Sequence, residues 1–411
     1  MTLSEFREQA RAWLRANAGA VAGTTERDPF DVAVFHSLPF EAEQALLEEH
    51  KRWQRIKFDA GYGAIDWPVE DGGAGLSVEH ADVFAREESA LLPLAPHELF
   101  SVTMHLIAPT IRILGTPRQK KTFLPSMLCG ELLACQLFSE PGAGSDLASL
   151  GTRAVRDGDG WVINGQKVWT SGAQFAEWGE LIARTDPDVP KHAGMTAFLV
   201  PLDAPGVEVR QIRQMSGGTS FNEVFFTDVR VPDRLRLGEV GAGWNVALTT
   251  LAFERGGSSN TAGVGGQFSQ LVASARAAGR IGDPQIRQQL AQVYLRQTLA
   301  EIDLLRDRQA RAAGGAPGAV GSVRKVQWVD KLKLVSDTAT AILGRTLLAD
   351  TGRPGTYGWN DHVLGAPGYR IAGGSDEIQR NIIAERLLGL PAEARADKGT
   401  SWRESTSRSS A

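Results

Sequence analysis

Apolar positions over residues 2–130 recur at three- and four-residue spacing, which predicts helices. Phe6, Ala10, Trp13 and Leu14 fall on one face behind a serine cap signal at Ser4. Further helices are predicted over 40–60, 78–91 and 117–128, with a buried apolar segment over 102–114. A glycine-rich loop, Trp67 to Ser77, separates two of them and ends in a cap at Ser77. From 132 to 231 the period shortens. Apolar runs at Trp161–Ile163, Gly179–Ala183, Met195–Val200, Val207–Ile212 and Glu223–Val231 alternate with turn residues, and Asn164-Gly165 reads as a tight turn. Strands this short at this spacing suggest a small barrel or sandwich. From Trp244 to about Leu388 helical spacing returns, consistent with a bundle.

The expected organisation is α+β and mostly α. A helical domain spans 1–131, a central β-barrel domain 132–234 and a four-helix bundle 235–392, with a Ser/Arg-rich tail at 393–411 expected to be disordered. No alternation of strand and helix is visible, so the many glycines do not argue for a doubly wound nucleotide fold.

Composition narrows the picture only slightly. The net charge of −4 over 411 residues is spread along the chain and gives no support for a nucleic-acid or membrane-surface footprint. Two cysteines, Cys129 and Cys135, give no disulfide framework and suit a reducing cytoplasm. Seven histidines lack HxxxH or CxxC spacing, so no metal site is expected. Met1 to Asn17 is charged and amphipathic and is not expected to be a secretory signal, and no apolar run is long enough to span a membrane.

Candidate chemistry concentrates in two runs. Leu137-Phe138-Ser139-Glu140-Pro141-Gly142-Ala143-Gly144-Ser145-Asp146 can bring backbone close to a ligand, because Gly142 and Gly144 lack Cβ. Trp161 to Ser171 reads as strand, turn and strand, ending in an aromatic face beside two hydroxyls. A flat, polar, phosphate-bearing cofactor would use such donors and such a wall; a plain surface hairpin would use the same residues.

Five motifs, in order, resemble the acyl-CoA dehydrogenase family over nearly the whole chain. They are Gly72–Ser77, Ser139–Asp146, Lys167–Ser171, Asp228–Pro232 and Ala372–Arg386. The resemblance implies FAD, an acyl-CoA substrate losing hydrogens from its α and β carbons, and an electron-transfer flavoprotein as acceptor. It also implies a homo- or heterotetramer. Carried over by motif, Phe138, Ser139, Gly144, Ser145, Trp169, Ser171, Ser375 and Glu377 would bind the cofactor. Ser145, Arg255 and the backbone N–H of Gly373 would bind the substrate.

Three departures qualify the likeness. Many members carry the catalytic glutamate where this chain has Gly373. A minority place it on an earlier helix before an arginine, and Leu251-Ala252-Phe253-Glu254-Arg255 has that arrangement, so Glu254 is the expected base. An Arg-x-x-Phe-Gly segment reaching the neighbouring subunit's cofactor is replaced by the stretch from Ala275 to Pro284, where Arg276 or Arg280 would substitute. A Gln/Gly-rich adenine contact is replaced by Arg345–Asp350. These changes resemble a bacterial subgroup acting on bulky acyl groups, in part built from two different subunits. Gly256-Gly257 fits a roomy pocket or close helix packing equally. Two rival expectations stand beside dehydrogenation: an oxygen-using oxidase or monooxygenase of the same fold, and an acyl-CoA-binding partner subunit.

Overall fold

The computed structural model describes residues 1–20, 32–92, 94–95, 97–256, 265–312, 319–350, 357–395 and 397–409. The first helix, α1 (Leu3–Asn17), starts from Thr2 rather than Ser4. Glu5 lies three residues after Thr2, so the two side chains exchange bonds with each other's backbone N–H, at 3.3 and 2.7 Å. Helices α2 (Phe40–Asp59) and α3 (Val78–Leu91) follow. Phe6, Ala10 and Leu14 pack with Trp53, Ile65 and Phe84 into a satellite core. At Ser77 the hydroxyl bonds His80 Nδ1 and makes no capping bond to the helix backbone.

A continuous helical rod comes next: α4 (Glu98–Val102), one π turn (Thr103–Ile107) and α5 (Ala108–Leu114). Helix α6 (Pro117–Leu128) opens on a Thr116/Gln119 capping box. The Gln119 amide also donates to Arg234 and Arg236 carbonyls at 3.1 and 2.8 Å, tying these helices to the sheet.

The central domain is one eight-stranded sheet. Its strands are β1 (Ala134–Leu137), β2 (Arg153–Asp157), β3 (Gly160–Ser171) and β4 (Trp178–Arg184). They continue as β5 (Met195–Pro201), β6 (Val207–Ile212), β7 (Phe221–Pro232) and β8 (Arg236–Leu237). Neighbours run β6-β7-β3-β2-β4-β5-β8, and β1 lies parallel to β4. Asn164-Gly165 does not turn the chain: β3 continues through it, with a register shift against β7 between Ile163 and Gly165. The reason is a cross-strand clasp. Asn164 Nδ2 donates to Asp228 Oδ1, and Asp228 N–H donates to Asn164 Oδ1, both at 3.0 Å. The β2–β3 turn instead falls at Asp157–Gly160, where Gly158 has φ 61°.

One core joins the layers. Ile107, Ile111, Phe123 and Met127 from the helices meet Cys135, Leu181, Phe198 and Val224 from the sheet. Val246 and Ala247 from α7 (Gly243–Gly256) complete it. The C-terminal helical domain adds α8 (Phe268–Ala277), α9 (Pro284–Ala312), α10 (Val320–Leu343), α11 (Gly358–Gly365) and α12 (Asp376–Arg386). Leu271, Leu290, Val335, Ile342 and Trp359 form its centre. Among the described residues no helix is long and apolar enough to cross a membrane.

The tail corrects the expectation of disorder. Residues Trp402–Ser409 form a helix, α13. Trp402 Nε1 donates to the Ser149 carbonyl at 3.1 Å, and the Arg184 guanidinium lies 5.2 Å over its ring. Arg403 pairs with Asp188 through two bonds, and Lys191 bridges Asp146 and Asp397 at 2.7 and 2.6 Å. A Ser/Arg-rich composition offers few apolar groups, but one tryptophan with a cation partner docks the segment.

Candidate active site

The loop after β1 is held by a buried ion pair. Phe138 and Ser139 leave the strand, and Val168 N–H donates to the Ser139 carbonyl at 2.9 Å. Lys167, fully buried on β3, donates to the Phe138 carbonyl at 2.9 Å and to Glu140 Oε1 at 2.7 Å. Glu140 further accepts from Gly151 and Thr152 N–H at 2.7 and 2.9 Å. Burial alone would raise the Glu140 carboxyl; the Lys167 ammonium and these donors outweigh burial and hold it below its ordinary range. The two motif runs are therefore one unit, fixed backbone to backbone with an ionised pair beneath.

Trp169 is the unusual residue of that unit. The β3–β7 register slips between Lys167 and Thr170, and Trp169 sits at the slip with φ 62°. A bulky L-residue in that region costs roughly 1–3 kcal/mol. The slip turns the indole out of the sheet, 59% exposed and edge-on to Phe221 at 6.2 Å. Ser171 stands opposite Phe221 at the end of the strand. Gly144 and Ser145 are exposed in the facing loop, and a Cβ on Gly142 or Gly144 would meet nothing within 4 Å. An out-turned aromatic wall, backbone fixed at Phe138–Ser139 and an uncrowded glycine loop fit a flat cofactor ring and its polar edge.

The remaining expected residues gather at the start of α12. Gly373 and Gly374 have φ 66° and 83°. Gln379 Nε2 donates to the Gly373 carbonyl at 2.8 Å, and Lys325 Nζ to the Gly374 and Tyr369 carbonyls at 3.1 and 2.6 Å. Ser375 caps the helix, accepting from Ile378 N–H at 3.4 Å. Glu377 is exposed in the first turn, its carboxyl lowered by its own backbone N–H and by Ser375. An aromatic path joins the two groups: Trp169 meets Phe221, Phe221 meets Phe35 at 5.2 Å, and Phe35 stacks on Tyr369 at 4.7 Å. Phe138 and Ser139 thus lie in the loop held against β3, which carries Trp169 and Ser171, and Gly373, Ser375 and Glu377 lie around the start of α12. The side chains of Glu254 and Arg255, and Gly257, lie outside the described residues.

The helix that carries position 254 has its own anchor, which sequence reasoning missed. Thr250, one turn earlier, donates to Glu180 Oε1 at 2.7 Å and lies 3.0 Å from Thr110 Oγ1. All three residues are fully buried. Burial pushes the Glu180 carboxyl up to about 8, against the Thr250 bond. The chain thereby links α5, α7 and β4 through a neutral acid. The roles of Lys167 and Glu140 were missed as well, although both stand inside quoted motifs. A lysine two residues before an aromatic in a strand was the available signal.

Comparison with known proteins agrees with this architecture. Residues 3–131, 135–229 and 241–388 match the N-terminal, middle and C-terminal domains of acyl-CoA dehydrogenase. Acyl-CoA dehydrogenase IpdE1 of Mycobacterium tuberculosis is 39% identical over 397 residues, covering 96% of this chain and 99% of that protein. The human mitochondrial short-chain specific acyl-CoA dehydrogenase is 31% identical, over 81% of this chain and 82% of its own. Among solved structures, the Tcur3481-Tcur3483 steroid ACAD superposes with a TM-score of 0.77 at 31% identity, covering 96% and 100% of the two chains. The ChsE4-ChsE5 complex from Mycobacterium tuberculosis gives 0.73 at 28%, covering 94% and 98%. With three family domains matched in order around a fold of helices, sheet and helices, the chain belongs to the acyl-CoA dehydrogenase family, oxidoreductases that act on acyl-CoA and depend on FAD.

Proposed function

We propose that this protein removes the α and β hydrogens of a bulky acyl-CoA, with Glu254 as the base. The out-turned Trp169 beside the pinned Phe138–Ser139 backbone carries the cofactor half of the reading. Phe138, Ser139, Gly144, Ser145, Trp169 and Ser171 would hold FAD, with Ser375 and Glu377 towards its chain. Bound FAD supplies the acceptor for the hydride that leaves the β-carbon. The chain's residues manage the proton. A thioester α-proton is a weak acid, so its removal needs a carboxylate facing it and a donor at the enolate oxygen. The backbone N–H of Gly373 is the donor proposed here, and Arg255 fixes the base or the thioester end. The Glu180–Thr250–Thr110 chain holds α7 one turn before the base and so sets its approach.

Three further parts of the reading rest on likeness and surface chemistry. A similar structure is named a steroid ACAD, which supports a polycyclic or branched acyl group. That structure and the ChsE4-ChsE5 complex each pair two different chains. Here Tyr294, Leu295, Leu299, Ile302 and Leu305 stand about half exposed along α9, an apolar stripe suited to association into a homo- or heterotetramer. Electrons would pass to an electron-transfer flavoprotein, and the buried, unpaired Cys129 and Cys135 suit the cytoplasm.

The test is anaerobic bleaching of the flavin by acyl-CoAs, from short branched to steroid side-chain thioesters. The wild type bleaches with the bulky members. Glu254→Gln stays yellow and does not bleach. Undiminished bleaching in that variant would refute the assignment of the base.

A further inference from the structure

His36, Glu43 and His97 lie in three separate segments: the loop before α2, the first turn of α2 and the residue before α4. The fold brings one donor atom of each to within 4.8 Å of the others. Glu43 Oε1 is 3.4 Å from His36 Nε2 and 3.5 Å from His97 Nε2. Glu98 Oε2 is 3.2 Å from His36 Nε2 and adds a second carboxylate at the rim. Glu43 is 1% exposed and His97 2%.

Hydrogen bonding alone explains these contacts poorly. A charge-assisted N–H···O bond spans about 2.7–2.9 Å, and the contacts to Glu43, at 3.4 and 3.5 Å, are longer. Neither ring nitrogen of the buried His97 has a hydrogen-bond partner among the described residues. Gln174 approaches the two Glu43 oxygens only to 3.5 and 3.4 Å. A buried carboxylate with partners at such lengths is under-compensated. The lengths instead match ligands around an ion. Two donors bound tetrahedrally at about 2.0–2.1 Å stand roughly 3.4 Å apart. We infer that His36, Glu43 and His97 form a divalent-cation site of the zinc type, with Glu98 at its rim.

The ion's role follows from its neighbours. Gln174 accepts from Asn222 Nδ2 at 2.5 Å, and Asn222 donates also to the Thr170 carbonyl at 3.0 Å. Glu43 is thereby linked, through the long Gln174 contact and the buried Asn222 amide, to the backbone next to Trp169. Phe175 stacks on Phe40 at 4.8 Å and meets the His97 ring edge-on at 6.2 Å. The cation clamps the N-terminal helices to the end of β3 and takes no part in the proton or hydride steps.

The test uses the full-length flavoprotein, dialysed without chelator, with metal content measured by plasma mass spectrometry. About one zinc per chain is expected. Glu43→Gln and His97→Ala should each weaken zinc binding roughly 10–100-fold while flavin absorbance and circular dichroism stay as in the wild type. If a variant does not fold, chelator-treated wild type is titrated with Co2+, where intense visible d–d bands mark a tetrahedral nitrogen and oxygen site. Absence of both zinc and cobalt uptake by the wild type would overturn the site and leave an imidazole–carboxylate network only. Equal zinc content in folded variants and wild type would place the metal elsewhere and overturn it too. Neither readout depends on which acyl-CoA is the substrate.

Discussion

Replacing Glu180 by glutamine tests the neutral acid beneath α7. The carboxyl is completely buried and titrates at about 8 rather than 4.5, because burial disfavours its charge. Below pH 4.5 it is protonated in both folded and unfolded chains, and it favours neither. As pH rises, the unfolded chain ionises freely while the folded one cannot until about pH 8. Stability is therefore lost progressively between those values. At about 1.4 kcal/mol per pH unit, the full displacement is worth on the order of 5 kcal/mol above pH 8. Glutamine keeps the acceptor for Thr250 and cannot ionise, so this loss disappears. Its extra N–H adds a pH-independent cost of about 1–3 kcal/mol. E180Q should thus unfold at lower temperature than wild type at pH 4.5, draw level between about pH 5 and 7, and exceed it at pH 8.5. The assay is the thermal midpoint of FAD-saturated protein across that range at one scan rate. His50 and His362, both pushed down to about 4 by burial, give an opposite slope below pH 6.5. They are common to both proteins and cancel in the difference. Parallel curves for the two proteins would refute the neutral-acid argument.

Two other substitutions probe the cofactor wall and the tail. K167M leaves Glu140 charged without its cation and Phe138 O without its donor, at a cost of about 3–5 kcal/mol. Lower flavin content per chain and a lower thermal midpoint are expected, and unchanged values of both would count against the pinned-loop account. W402A removes the ring that docks α13 on Arg184 and Ser149, at roughly 1–3 kcal/mol. Hydrogen exchange over residues 397–409 should speed up in that variant; exchange that is equally fast in wild type would show that the tail does not dock.

What the sequence made legible was periodic or local. Helices over 78–91 and 117–128 and the strands from Gly179 to Val231 follow from spacing, because each buries one face along one segment. The Ser139–Asp146 and Lys167–Ser171 runs could be paired through their motif, though spacing alone left a hairpin open. What stayed hidden depends on contacts between distant segments. Asn164-Gly165 has the chemistry of a turn, and only Asp228, 64 residues away, converts it into strand. Glu180 reads as one polar residue in an apolar strand until Thr250 from another domain meets it. His36, Glu43 and His97 have no regular spacing, so nothing linear marks their convergence.

The π turn at Thr103–Ile107 has a geometric consequence for the rod that contains it. Thr103 locks it in place, donating to the Leu99 and Ala134 carbonyls and accepting from Ala134 N–H. Each residue of an α-helix advances the winding by about 100°. The wider turn holds one residue more than regular winding would, and so works as a phase shifter. Ahead of it, Leu99 packs so closely on Gly172 that a Cβ there would lie 2.6 Å away. Behind it, Ile107 and Ile111 enter the shared core. Winding the same residues as regular α-helix would rotate these two faces by roughly 100° relative to each other, whereas deleting one residue would leave them aligned. The wide turn thus keeps the Leu99 face against the end of β3 and the Ile107 and Ile111 face in the core at the same time.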